Sequence, residues 1–194
     1  MKMSTDRVTF MDSAIPRTGF LWDAVLVAGF ACLTAVCAQI SFWLGMVPIT
    51  GQTFGVLMAG ALLGSRRGAL SQLSYLAIGA TGVPYWFALG GPLGIARLVG
   101  PTGGYLIGFV AAAFVVGWLA ERGWDRRVWT AILAMFAGSV VIYTFGLSWL
   151  AHFVPQGTVL HAGFYPFIIG DVVKIIAASL AVPSGWLLFR QLKG

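Results

Sequence analysis

Asp171 and Lys174 stand three residues apart in PFIIGDVVKIIAASLAV (residues 166–182), with isoleucine, valine and alanine on both sides. On a helix this spacing puts both side chains on one face. A carboxylate accepts hydrogen bonds and an ammonium donates them. The pair therefore suits a small polar ligand with N–H donors in one place and an anionic group in another. One charge in hydrocarbon costs about 2.5–3.5 kcal/mol even on insertion scales, so the pair calls for a reason. It is either a neutralised ion pair that ties the last helix to its neighbours or part of a substrate path, the usual meaning of ionisable residues inside a membrane. Gly170, with Pro166 just ahead, is expected to open the helix and leave Asp171 at a helix N-terminus, where the macrodipole favours an anion.

Two connecting segments carry further candidates. VPITGQTFG, Val47 to Gly55, offers Thr50 and Gln52 as hydrogen-bonding groups at the membrane edge. GVPYWFALGGPLGIARLVGPTGGY, Gly82 to Tyr105, mixes Tyr85, Trp86 and Phe87 with seven glycines and Arg97. Aromatics there commonly anchor a chain at the interface. A long segment too apolar to be disordered, however, reads better as a lid over an outward-facing cavity. His152 and His161 lie nine residues apart with no glutamate in reach and no metal-ligand spacing. No nucleophile–base pair accompanies them, so no catalytic residue, no metal and no cofactor is expected. Cys32 and Cys37 fit no metal motif and read as small buried side chains.

What must position these residues follows from composition. The 194 residues are 59% hydrophobic and 9% charged, with a mean hydropathy of +0.89. A soluble domain carries about 25% charged residues, so this chain is expected to be an all-α integral membrane protein. Its length suits six spans. They are read near Leu21–Trp43, Thr53–Gly64, Ala69–Thr81, Pro101–Ala120, Val128–Phe153 and Phe164–Phe189. The result is a single membrane domain over 1–194, with a polar segment at 1–20 and a six-helix bundle at 21–190. Residues 1–23 contain no apolar core followed by a cleavage site, and no signal peptide is expected. Ten of the 12 basic residues fall in alternate connections: Lys2, Arg7 and Arg17; Arg66 and Arg67; Arg122, Arg126 and Arg127; Arg190 and Lys193. The positive-inside rule then puts both termini in the cytoplasm. The same dispersal argues against nucleic acid as the partner of a net charge of +6. A single acid and a single lysine make no selectivity ring, which argues against a pore.

The first span carries Ala24, Ala28, Ala31, Ala35 and Ala38, spaced 4, 3, 4 and 3 along one helix face. Small residues let helices approach closely in lipid. This stripe serves either packing within the chain or docking of another membrane subunit. Gly60 and Gly64, and Gly51 and Gly55, read as internal packing pairs.

PITGQTFGVLMAGALLG (Pro48 to Gly64), GPTGGY (Gly100 to Tyr105) and PFIIGDVVK (Pro166 to Lys174) resemble the BioY family. These proteins are biotin-specific substrate-binding (S) components of energy-coupling factor (ECF) vitamin transporters. The resemblance runs in order and spacing over most of the chain. It implies the six-helix ECF S-component fold, in a prokaryotic cytoplasmic membrane, with the vitamin held near the outer face. Asp171 would then meet the ureido ring and Lys174 the carboxylate, or the ligand would lie the other way round. Arg97 is a further cation for a carboxylate, and Thr50, Gln52 and Tyr105 are expected to line the site. Gly91 and Pro92 supply no loop amide, which leaves ureido recognition to Asp171 or to backbone groups. Ala24, Ala28, Ala31 and Ala35 match the surface that contacts the coupling subunit, which favours docking. The chain has no GxxxxGK[ST] loop, so energy would come from partner ATPases, although the family resemblance also includes solitary action. The alternatives are an S component for a different vitamin and an intramembrane enzyme.

Overall fold

A computed structural model describes residues 9–14, 19–43 and 47–193. Lys2, Arg7 and Arg17 of the expected cytoplasmic set lie outside the described residues. The elements are α1 (Phe10–Ala14), α2 (Phe20–Ala38), β1 (Ser41–Trp43), β2 (Pro48–Thr50), α3 (Gln52–Leu63), α4 (Ser65–Ala80), α5 (Ile95–Val99), α6 (Gly103–Ala120), α7 (Val128–Leu150), α8 (Val159–Gly163) and α9 (Ile168–Lys193). Short 3-10 turns occupy Trp124–Arg126 and Tyr165–Phe167.

The fold is mostly helical, but the all-α expectation needs one correction. β1 and β2 pair antiparallel, with Ser41 opposite Thr50 and Trp43 opposite Pro48. Pro48 has no N–H to donate and stands at the first position of its strand, where that loss is tolerated. α2 consequently ends at Ala38 and does not run on to Trp43. Its last turn is closed by Gln39, whose Nε2 donates to the carbonyl of Ala35 at 2.8 Å and to that of Tyr85 at 2.6 Å. Carbonyls at a helix end lack partners within the helix, and Gln39 supplies one while tying α2 to the loop after α4.

α2, α6, α7 and the helical stretch Val159–Phe189 are long and apolar enough, by length and composition, to cross a membrane. At 12 residues, α3 reaches only about 18 Å. Gly64 alone joins it to α4. α6 is central, packing most extensively on α7 and also on α3 and α4, while α2 lies on α3 and α4 and α9 on α7 and α3. Close approach requires small residues: a Cβ added to Gly60 would stand 2.6 Å from the carbonyl oxygen of Ala113 on α6. Between lipid-embedded helices such packing supplies the attraction that hydrophobicity cannot.

One end of the bundle gathers the charges. Arg67 at the start of α4 pairs with Asp12 of α1 and, at 3.2 Å, with Asp23 of α2. Glu121 Oε1 accepts from the backbone N and the Oγ of Ser65, both at 2.7 Å. Trp186 Nε1 donates to Asp125 Oδ2 at 2.5 Å, and Phe10 meets the Trp186 ring edge-on with centroids 5.4 Å apart. Burial pushes the Asp125 carboxyl above its ordinary value. Burial acts on Asp12 in the same direction, but hydrogen bonds from Arg67 and Thr9 outweigh it and hold that carboxyl below the usual range.

Candidate functional site

Toward the other end, β2, the loop after α4, α5, the ends of α3, α6 and α9 and the middle of α7 surround a cavity. Thr50, Gln52, Arg97, Tyr105, Asp171 and Lys174 all line it. Residues up to 124 positions apart in sequence are thus brought to one place.

Asp171 is buried in the first turn of α9. The helix starts at Ile168, so Gly170 lies inside it and does not open it, contrary to expectation. The interruption falls earlier, at the 3-10 turn Tyr165–Phe167 that contains Pro166. Lys174 Nζ donates to Asp171 Oδ1 at 3.0 Å, and Thr53 Oγ1 approaches the same oxygen at 3.4 Å. Tyr143 on α7 donates to Asp171 Oδ2. A first-turn carboxylate is favoured by the helix dipole as well as by these donors.

The neutral polar residues are committed to one another. Gln52 Nε2 donates to the Tyr75 hydroxyl at 2.5 Å and to the carbonyl of Phe87 at 2.6 Å. Gln52 Oε1 accepts from Thr50 Oγ1 at 2.6 Å. The Tyr105 hydroxyl donates to the carbonyl of Gly163 at 2.8 Å, which leaves the ring to face the cavity. Arg97 is buried and its Nη1 donates to the carbonyl of Gly90 at 2.8 Å, holding the loop around its own guanidinium. The loop after α4 therefore forms a wall of the cavity. Phe87 and Trp86 turn inward, whereas Tyr85 is exposed. Phe87 lies flat on Gly79, where an added Cβ would come within 2.1 Å of its ring.

Reasoning from sequence missed Tyr143, Thr53, Ser139, Phe87, Phe109 and Phe167 as lining. Ser139 and Tyr143, four residues apart within an apolar helix, share one face, and that spacing was the available signal. His152 and His161 are exposed and do not line the cavity. His152 Nδ1 lies 3.2 Å from the carbonyl oxygen of Trp149, and His161 stacks edge-on with Tyr165. Among the described residues no group of three or more His, Cys, Asp or Glu could hold a metal ion.

The alanine stripe is divided. Ala31, Ala35 and Ala38 are buried within the chain, whereas Ala24 and Ala28 are exposed toward the charged end. Cys32, expected to be buried, is exposed, and Cys37 is half-buried. Both lie off the alanine face.

The sequence profile described as the BioY family matches residues 5–191. A Pyrococcus horikoshii protein described as a probable biotin transporter BioY is 44% identical, over 80% of this chain and 91% of that one. The biotin transporter BioY of Rhizobium etli is 40% identical, over 81% and 89%. The crystal structure of the S-component for biotin from an ECF-type ABC transporter superimposes with a TM-score of 0.70, at 26% identity, covering 90% of this chain and 92% of that one. With the profile spanning nearly the whole chain and the fold in agreement, this protein belongs to the BioY family.

Proposed function

We propose that this chain binds biotin at the Asp171–Lys174 cavity and serves as the substrate-binding component of a biotin uptake system. The single observation that carries this reading is the buried acid and half-buried lysine, 3.0 Å apart, facing one cavity at the end opposite the charged cluster. Biotin has the matching halves: ureido N–H donors for Asp171, and a carboxylate for Lys174 with Arg97 as a second cation. The names of the relatives and the solved biotin S-component support the same ligand.

In this reading α2, α6, α7 and α9, with the shorter α3 and α4, make six spans of a prokaryotic cytoplasmic membrane. The basic connections and both termini face the cytoplasm, and the cavity opens outward. Uptake is driven by an ECF coupling subunit and cytoplasmic ATPases. The coupling subunit docks on the exposed inner part of α2, around Ala24 and Ala28. Ala31 and Ala35, being buried, hold α2 to the bundle and act on docking only through that packing.

Mild purification from cells grown with biotin, followed by native mass spectrometry, tests the ligand. Near-equimolar biotin on the intact chain is expected. A folded chain carrying a different vitamin, or none after biotin is added back, would contradict it.

A further inference from the structure

The Asp171 carboxylate has two unlike sides. Lys174 and, more distantly, Thr53 address Oδ1, while Tyr143 alone among the described donors addresses Oδ2. The Tyr143 ring is held edge-on by Tyr105, with centroids 6.2 Å apart, and by Phe164, with centroids 4.9 Å apart. Tyr105 is fixed in turn by its bond to the Gly163 carbonyl. Behind this ring lies an apolar groove between α7 and α9, with Phe136, Val140, Ile168 and Val172 in its walls. Ser139, Tyr143 and Asp171 border both the groove and the ligand cavity. Asp171 thus stands on a boundary, and without a restraint its carboxylate could turn either way.

We infer that Tyr143 is a positioning residue that fixes which oxygen of Asp171 meets the ligand. The phenol has one O–H donor and no charge, so it orients Oδ2 without neutralising the acid. Lys174 carries three rotatable donors on a flexible stem and can release Oδ1. A ligand N–H then takes the place of Lys174 on Oδ1, and the freed ammonium meets the ligand's anionic group. Tyr143 keeps its bond throughout. This assignment rests on the biotin reading above.

The test is a chemical cycle on the full chain in detergent, by calorimetry. The wild type and Tyr143→Phe, which keeps the ring contacts, are each titrated with biotin. They are also titrated with the two carbamate analogues, in each of which one ring N–H is replaced by oxygen. Loss of a hydrogen bond to a charged group should weaken biotin binding by about tenfold to a hundredfold in Tyr143→Phe. The penalty for removing the N–H that faces Asp171 should shrink in the variant, because a loosened carboxylate reads that N–H less well. A purely structural tyrosine would scale all three ligands alike. Biotin affinity within about twofold of wild type, or analogue ratios unchanged within that margin, would overturn the inference while leaving the biotin reading intact. A folded wild type that fails to bind biotin would overturn both.

Discussion

Lys174 donates to Asp171 at 3.0 Å from one turn further along α9, and both side chains are largely shielded. The two charges therefore neutralise each other. Removing one member of a buried pair typically costs about 3–5 kcal/mol, whereas replacing both by groups of similar volume is often neutral. Asp171→Asn and Lys174→Met should each lower the ligand-free unfolding temperature. The double variant should recover much of that loss and still bind no biotin. Recovery of binding together with stability would make the pair structural only.

Gln52 joins four pieces of the cavity, through Thr50, Tyr75 and the carbonyl of Phe87. Gln52→Ala leaves the buried Tyr75 hydroxyl without its donor and the Phe87 carbonyl with only the longer 3.5 Å bond from Tyr75, a loss of about 1–3 kcal/mol. The loop after α4 should loosen. Stopped-flow binding is expected to show a faster biotin off-rate with a nearly unchanged on-rate; an unchanged off-rate would remove Gln52 from the role of loop tether.

Gly79 leaves room for the Phe87 ring and for nothing larger. Gly79→Val should displace Phe87 from the cavity wall and weaken biotin binding at least tenfold, on the scale of about 1.4 kcal/mol per decade. Adding Phe87→Ala should cost little more, since the clash and the wall residue are then lost together. Fully additive effects in the double variant would argue against this contact.

The divided alanine stripe makes Ala28 and Ala31 opposite tests. Ala28 is exposed and Ala31 is completely buried. Ala28→Trp should leave biotin binding intact and abolish copurification with a coupling subunit. Ala31→Trp should overpack α2 against the bundle at a cost of about 1–3 kcal/mol or more and lower the unfolding temperature. Normal assembly of Ala28→Trp would move the docking surface elsewhere.

The two acids at the basic end should respond to pH in opposite senses. Asp125 has a raised pKa in the folded chain, so the fold holds its proton more tightly than the unfolded chain does. Its contribution favours folding below the ordinary value of 3.8 and declines as pH rises from there through the raised value. Asp12 is lowered; its contribution is present above 3.8 and fades as pH falls through the lowered value. Asp125→Asn should flatten the loss of unfolding temperature on the alkaline side of pH 4, and Asp12→Asn the loss on the acid side. A profile unchanged by either substitution would contradict these environments.

How much of this was legible depended on whether a residue broke its local pattern. Asp171 and Lys174 did so as charges in an apolar run, and the basic residues between spans marked the charged end of the bundle. Tyr143 did not, because VVIYTFG reads as one more apolar turn and only its four-residue spacing from Ser139 hinted at a polar face. The β1–β2 hairpin was hidden because three-residue strands carry too little periodicity to separate from a helix end. Burial along α2 also escaped the pattern. The alanine spacing is regular throughout, yet Ala31, Ala35 and Ala38 are covered and Ala24 and Ala28 are not. Coverage depends on where α3 and α4 lie, which no spacing within α2 reveals.

The most direct test of the central claim is calorimetry of biotin with the purified chain beside Asp171→Asn and Lys174→Ala. Tight wild-type binding is predicted, with each variant weaker by about 2–5 kcal/mol, as for truncation of one partner of a buried charge pair. Biotin binding that survives both substitutions, or none in a folded wild type, would contradict the account.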